Sequence, residues 1–286
     1  MKNYKQLLMI IVTTFFVTSA NAQSPATSGQ KIIYGSNSKA GKYFDNRGFK
    51  MYYETYGTGA PLLIIQGNGS SIQDFTNQIP FFEKNYIVIL ADSRAQGKSI
   101  DNGDSLSYEM MADDLDAVLG QLHLDSCYVI GWSDGGINGL LLAIRHPDKV
   151  KKLAVTGANL VPDTSAVEPE INLWAKSLSD SINKLPESPQ VKIQCKLFHL
   201  LSFEPHISTR QLQTIQCPVL VIGGDHDVIR PRHTMLIAES IPKSYLWILP
   251  NSGHSTPIVY KDIFNEVVND FFKNPYRKIE GLNRLY

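Results

Sequence analysis

Residues 129–140 read VIGWSDGGINGL. An apolar run that opens at Cys127 stops at Gly131. Ser133 then stands with a glycine two positions to either side, at Gly131 and Gly135. Apolar residues resume at helical spacing from Ile137 to Ile144. A short unbroken apolar run suits a strand buried on both faces of a parallel sheet. A strand, a G-x-S-x-G turn and a helix, in that order, form the setting in which a serine is raised above a sheet edge. The turn forces the serine into a strained backbone, and bulky residues at 131 or 135 would clash with it. The helix start beneath it offers free N–H groups and a partial positive charge, which favour a developing oxyanion.

Further runs of the same kind lie on both sides. FKMYYETYG (49–57) predicts an early strand, followed by PLLIIQG (61–67), YIVILADS (86–93), KLAVTGA (152–158), PVLVIGG (218–224) and SYLWILP (244–250). Helical patterns alternate with them. Residues 107–122 carry Met110, Met111, Leu115, Val118 and Leu122, and residues 262–272 carry Ile263, Val267, Val268, Phe271 and Phe272. This alternation predicts an α/β fold: a mostly parallel central sheet flanked by crossover helices. Residues 31–158 and 215–286 form that core. Residues 159–214 break the rhythm, with Pro162, Pro169, Pro186 and Pro189 and no strong strand signal. An insertion there, built of short helices, is placed to be a lid.

A serine hydroxyl is a weak nucleophile until a base takes its proton, and the base needs a carboxylate to orient it. In this architecture the chain order is serine, acid, histidine. Asp225 and Asp227 both lie in the loop after 218–224, and His254 lies in the loop after 244–250. Both loops fall at carboxyl ends of strands, where open α/β sheets place their sites. Asp227 is taken as the acid because the G-x-x-D-x-x-x-P spacing to Gly224 and Pro231 fits it. Asp225 is then a loop-capping residue, and His226, beside the acid, is structural. His123 and His146 close helices, His199 and His206 lie in the lid, and His233 begins a surface helix. An oxyanion hole needs two N–H donors. Asp134 follows the nucleophile and Asn68 lies in the glycine-rich loop 66–71, so these two supply them. Trp132, just before Ser133, is a candidate substrate-binding residue.

Lys2 and Lys5, an apolar stretch over 7–17 and Ala20-Asn21-Ala22 predict a signal peptide over residues 1–22, cut after Ala22. A polar lead-in over 23–30 follows. The protein is therefore expected to be periplasmic or secreted, with no membrane attachment after cleavage. Its 27 basic and 27 acidic residues cancel, so there is no basic excess of the kind a nucleic-acid partner requires. Of three cysteines, Cys127 reads as buried filler, while Cys195 and Cys217 could pair or stay free. No spacing resembles a metal site.

Together the G-x-S-x-G turn, the loop acid, the late histidine, ADSRAQGKS (91–99) and IRHPDKVKKLAV (144–155) resemble the α/β-hydrolase superfamily over nearly the whole chain beyond residue 22. Two positions depart from its pattern. Gln66 stands where many members have histidine, and Ala95 where glycine is usual. GWSDGGINGL, GAN (157–159) and IQCPVLVIGGDHDVIRPRH look most similar to the biphenyl-hydrolase-like group, which includes valacyclovir hydrolase. The resemblance implies a serine hydrolase that needs no cofactor and acts on a small-molecule ester or lactone through an acyl-enzyme. In that group the acid after the nucleophile is associated with a substrate ammonium. Asp134 is thus expected either to hold a cation, as in an amino-acid ester or an amino-sugar macrolactone, or to cap its helix. Carbon–carbon hydrolysis, amide cleavage and perhydrolysis on the same triad are the alternatives. A non-catalytic binding protein is disfavoured because all three triad members are present.

Overall fold

The computed structural model describes residues 32–285. The expected signal peptide and the lead-in over 23–30 lie outside the described residues. The strands are β1 (Gly41–Asn46), β2 (Phe49–Tyr56), β3 (Ala60–Ile65), β4 (Tyr86–Ala91), β5 (Cys127–Trp132), β6 (Val150–Thr156), β7 (Val219–Gly224) and β8 (Ser244–Leu249). Among the described residues they form one sheet in the order β1-β2-β4-β3-β5-β6-β7-β8, with antiparallel pairing at β1–β2 and β2–β4 and parallel pairing elsewhere. The helices are α1 (Ile79–Phe82), α2 (Tyr108–Gln121), α3 (Asp134–Arg145), α4 (Pro169–Ile182), α5 (Pro189–Phe203), α6 (Thr209–Leu212), α7 (Pro231–Ser240), α8 (Thr256–Val259) and α9 (Lys261–Lys273). The mostly parallel, helix-flanked sheet is the fold expected from the sequence.

Each face of the sheet has its own apolar layer. On one, Leu63, Ile65, Val129 and Leu153 meet Met111, Leu115 and Val118 of α2 and Leu140 and Leu141 of α3. On the other, Leu62, Ile64, Val88 and Ile130 meet Phe82 of α1 and Phe264, Val268 and Phe272 of α9. Burying a side chain of this size is worth about 1.5–3 kcal/mol. The α9 stripe therefore runs through Phe264 rather than Ile263, which is 49% exposed. Positions 264, 268 and 272 repeat every four residues and keep to one face of a helix.

Several expectations shift. β1 was not expected: it is an edge strand with no apolar run, and its half-exposed face leaves no strong signal in the sequence. β8 is the opposite edge, so Leu246 is solvent-facing instead of buried on both faces. β6 starts and stops two residues earlier than read, because Gly157 turns out of the sheet at φ +65°. α2 begins where Ser107 caps it by accepting the Met110 N–H at 3.1 Å.

Between β6 and β7 the chain leaves the sheet and forms α4, α5 and α6. Two of these are longer than the short helices expected, at 14 and 15 residues. Lys196 on α5 anchors the insertion by donating to the carbonyl of Gly103 at 2.6 Å. It also faces the Asp101 carboxylate at 3.4 Å. All three cysteines are free, which settles the open question about Cys195 and Cys217, and Cys127 is fully buried as expected.

Candidate active site

Ser133 lies between β5 and α3 with φ 57° and ψ −122°. A side chain is rarely held in this region, and strain of this kind costs on the order of 1–3 kcal/mol unless the surroundings enforce it. The flanking glycines show what enforces it. A Cβ on Gly131 would lie 2.2 Å from the carbonyl oxygen of Gly135, and one on Gly135 would lie 2.1 Å from that of Ile65. Neither contact is possible, so the turn closes this tightly only with glycine at both positions.

Ser133, His254 and Asp227 come together from three separate loops. The hydroxyl of Ser133 lies 2.9 Å from His254 Nε2, and His254 Nδ1 lies 2.7 Å from Asp227 Oδ1. A carboxylate only accepts, so Nδ1 carries the proton and donates it. Nε2 is then the acceptor, and the serine O–H donates to it. Asp227 is 3% exposed and is held by the N–H groups of Ile229 at 3.0 Å and Gly224 at 3.4 Å. Asp225 takes the capping role: it accepts the N–H groups of Asn251 and Ser252, each at 2.9 Å. The His226 imidazole beside it, with these N–H groups, holds its carboxyl well below the usual carboxylate range. His226 points outward, its side chain 78% exposed.

The glycine-rich loop 66–71, expected to supply an oxyanion donor, is pinned from several sides. Gly67 approaches the nucleophile so closely that a Cβ there would lie 3.2 Å from Ser133 Cβ. Gln66, in place of the usual histidine, donates to the Ser70 carbonyl at 3.1 Å. Gln96 accepts the Gly69 N–H at 2.7 Å, and Asp92 accepts the N–H groups of Ile72 at 3.0 Å and Lys98 at 2.7 Å. The ADSRAQGKS loop therefore braces the glycine-rich loop and the turn that follows it. Ala95 within it sits at φ 62°, the left-handed region that a glycine would occupy freely. Arg94 forks onto Asp114 at 2.7 and 2.8 Å and lies over the Phe49 ring. The Asp134 N–H is the first of α3, so no carbonyl within the helix accepts it.

The two candidate substrate contacts, Asp134 and Trp132, both bond within the protein. Asp134 is 2% exposed, and its Oδ2 accepts from the Asn68 side-chain amide at 2.8 Å. The hydroxyl of the buried Tyr108 bonds to the same carboxyl. Burial pushes the Asp134 carboxyl up to about 6 despite these two donors. At 2% exposure the carboxyl offers almost no surface to a substrate cation. The Asn68 amide also donates to the Leu197 carbonyl of α5 at 3.1 Å, joining the nucleophile turn to the inserted helices. Trp132 gives its indole N–H to the main-chain carbonyl of His254 at 2.9 Å.

His233 is also not on a surface. It is 4% exposed, and its Nε2 accepts the Leu160 N–H at 3.0 Å, fixing the start of the insertion. Burial pushes its imidazole down to about 4. Tyr108 and the Asn68 side chain carried no motif, and Gly157 entered only as the start of GAN (157–159). Gly157 matters because a Cβ there would lie 2.7 Å from His254 Cε1. Among the described residues no group of three or more His, Cys, Asp or Glu is placed to hold a metal ion. Among the same residues no helix is long and apolar enough to cross a membrane.

A strained serine at a helix start, an imidazole within hydrogen-bond reach and a buried carboxylate behind it make the constellation of a nucleophilic hydrolase. The model of the alpha/beta hydrolase fold family matches residues 60–202, half of the chain, and the protein belongs to that family. The protein is a hydrolase. Its relatives include the serine hydrolase BPHL of Homo sapiens, 26% identical over 266 residues, covering 86% of this chain and 90% of that protein. They also include the pimeloyl-[acyl-carrier protein] methyl ester esterase of Legionella pneumophila, 27% identical over 246 residues, covering 78% and 99%. The enol-lactonase of Burkholderia xenovorans shares the fold, with a TM-score of 0.69 at 19% identity over 82% of this chain and 100% of that one.

Proposed function

We propose that the protein is a secreted serine hydrolase that cleaves a carboxylic ester or lactone through an acyl-enzyme. The observation that carries this reading is the continuous path from Ser133 Oγ through His254 to Asp227, with contacts of 2.9 and 2.7 Å. Ser133 Oγ attacks the carbonyl carbon while His254 Nε2 takes its proton. Asp227 holds the imidazolium that forms. The N–H groups of Asp134 and Asn68 receive the oxyanion. His254 returns the proton to the leaving alkoxide, and the alcohol departs. Water then attacks the acyl-enzyme with His254 as base, which frees the acid and restores Ser133. An esterase among the relatives supports the choice of bond. An amino-bearing substrate is not part of the proposal, because it rested on Asp134, whose carboxylate is engaged by Asn68 and Tyr108.

The test is hydrolysis of short-chain p-nitrophenyl esters by the protein beside Ser133→Ala, with fluorophosphonate labelling of both. Turnover and labelling that fall by at least about 10³-fold in the variant are expected. Equal rates in the two proteins would overturn the proposal. Secretion is tested separately: the exported chain should begin at Gln23, and an uncut chain retained in the cytoplasm would refute it.

A further inference from the structure

We propose that Trp132 is a positioning residue for the base: its indole N–H fixes the main chain of His254, so that the imidazole meets both Ser133 and Asp227. The inference rests on reading those three residues as the catalytic set. His254 lies in irregular chain between β8 and α8, where no ladder of strand hydrogen bonds holds it. Such segments are the mobile parts of a fold. The imidazole must nevertheless keep two hydrogen bonds aligned at once, and a misplacement of about 1 Å at a reacting group costs on the order of 100-fold in rate.

The flanks of the loop are tied on either side of residue 254. Tyr260 donates its hydroxyl to the Asn251 carbonyl at 2.6 Å. The hydroxyls of Thr156 and Thr256 bond at 2.7 Å, and Gln78 donates to the Pro257 carbonyl at 2.6 Å. The bond from Trp132 falls on residue 254 itself, at 2.9 Å. The indole ring also meets the imidazole, with centroids 6.2 Å apart at 45°, and packs edge-on against Phe75 at 6.5 Å.

Trp132 is the last residue of β5, paired with Thr156 of β6, and Ser133 is the next residue along the chain. The nucleophile and the anchor of the base thus share one rigid strand end. Any displacement of that strand end carries Ser133 and His254 together, which preserves their separation. A half-buried indole N–H requires an acceptor, and here the acceptor is the base's own carbonyl.

The test replaces the donor while keeping the ring. Trp132→Phe retains an aromatic side chain against Phe75, and the benzothiophene analogue of tryptophan at position 132 keeps the shape and loses only the N–H. We expect kcat for a p-nitrophenyl ester to fall about tenfold or more with KM within about twofold, and fluorophosphonate capture to slow in parallel. The proton resonance of His254 Nδ1–H should broaden through faster exchange with water in both variants. A raised KM with unchanged kcat would overturn the proposal in favour of a substrate contact. Unchanged kinetics, or an unchanged imidazole resonance in the benzothiophene protein, would also overturn it. A parent protein inert to both ester and fluorophosphonate would instead refute the serine-hydrolase reading. The imidazole resonance then still decides the role of Trp132.

Discussion

Replacing Asp134 by asparagine should stabilise the protein at neutral pH relative to acid pH. The carboxyl is buried and its pKa is raised from 3.8 to about 6. A folded-state pKa above the unfolded value means that the folded protein holds this proton more tightly. The stability that the proton contributes is fully present below the unfolded pKa and is lost as pH rises through about 6. A shift of about two units corresponds to about 3 kcal/mol across the whole window, of which about 2 kcal/mol is recovered by pH 4.5. Asparagine is a neutral stand-in that can still bond to Asn68 and Tyr108. The quantity to measure is the difference in unfolding free energy between wild type and Asp134→Asn, by urea denaturation at pH 7.5 and pH 4.5. Other titrating groups cancel in that difference. Wild type should gain about 2 kcal/mol on the variant as pH falls, or roughly 4–8 °C in Tm for a chain of this size. A difference that does not move between the two pH values would refute the reasoning, because it would mean that the carboxylate is solvated or paired with a cation.

Gly157→Ala should lower kcat by about 100-fold with a smaller change in KM, since the added methyl meets the His254 ring at 2.7 Å and the backbone is at φ +65°. Steady-state kinetics with unchanged kcat would show that the imidazole is not held against residue 157. His233→Gln should flatten the acid side of the stability profile. The His233 pKa is depressed to about 4, so its contribution is present above the unfolded value of 6.5 and is lost as pH falls through 4. Thermal unfolding between pH 7 and pH 4 should show wild type losing about 2–3 kcal/mol relative to the variant.

The fold was legible because its signals are local. Continuous apolar runs at 61–67, 86–93, 127–132 and 218–224 can only be satisfied by strands covered on both faces. The glycines around Ser133 declare a turn that no other residue could make. Chain order then placed Asp227 and His254, since each follows a strand whose carboxyl end must open on the same side of the sheet. β1 and the edge position of β8 were not legible, because an edge strand may mix polar and apolar residues freely.

The α/β architecture, the tight turn around Ser133 and the choice of Asp227 and His254 as the residues meeting there could be read from the chain alone. Each depends on spacing along the chain or on a conformation that only certain residues adopt. The partners of the Asp134, Trp132, Asn68, Tyr108 and His233 side chains emerge only in the folded chain. Their roles are hydrogen bonds across 66, 122, 129 and 73 residues of chain for the Asn68–Asp134, Trp132–His254, Asn68–Leu197 and Leu160–His233 contacts. A carboxylate beside a nucleophile can face a substrate or turn away to meet an amide and a phenol. Nothing at its own position distinguishes the two, because the difference lies in which distant groups the fold brings against it.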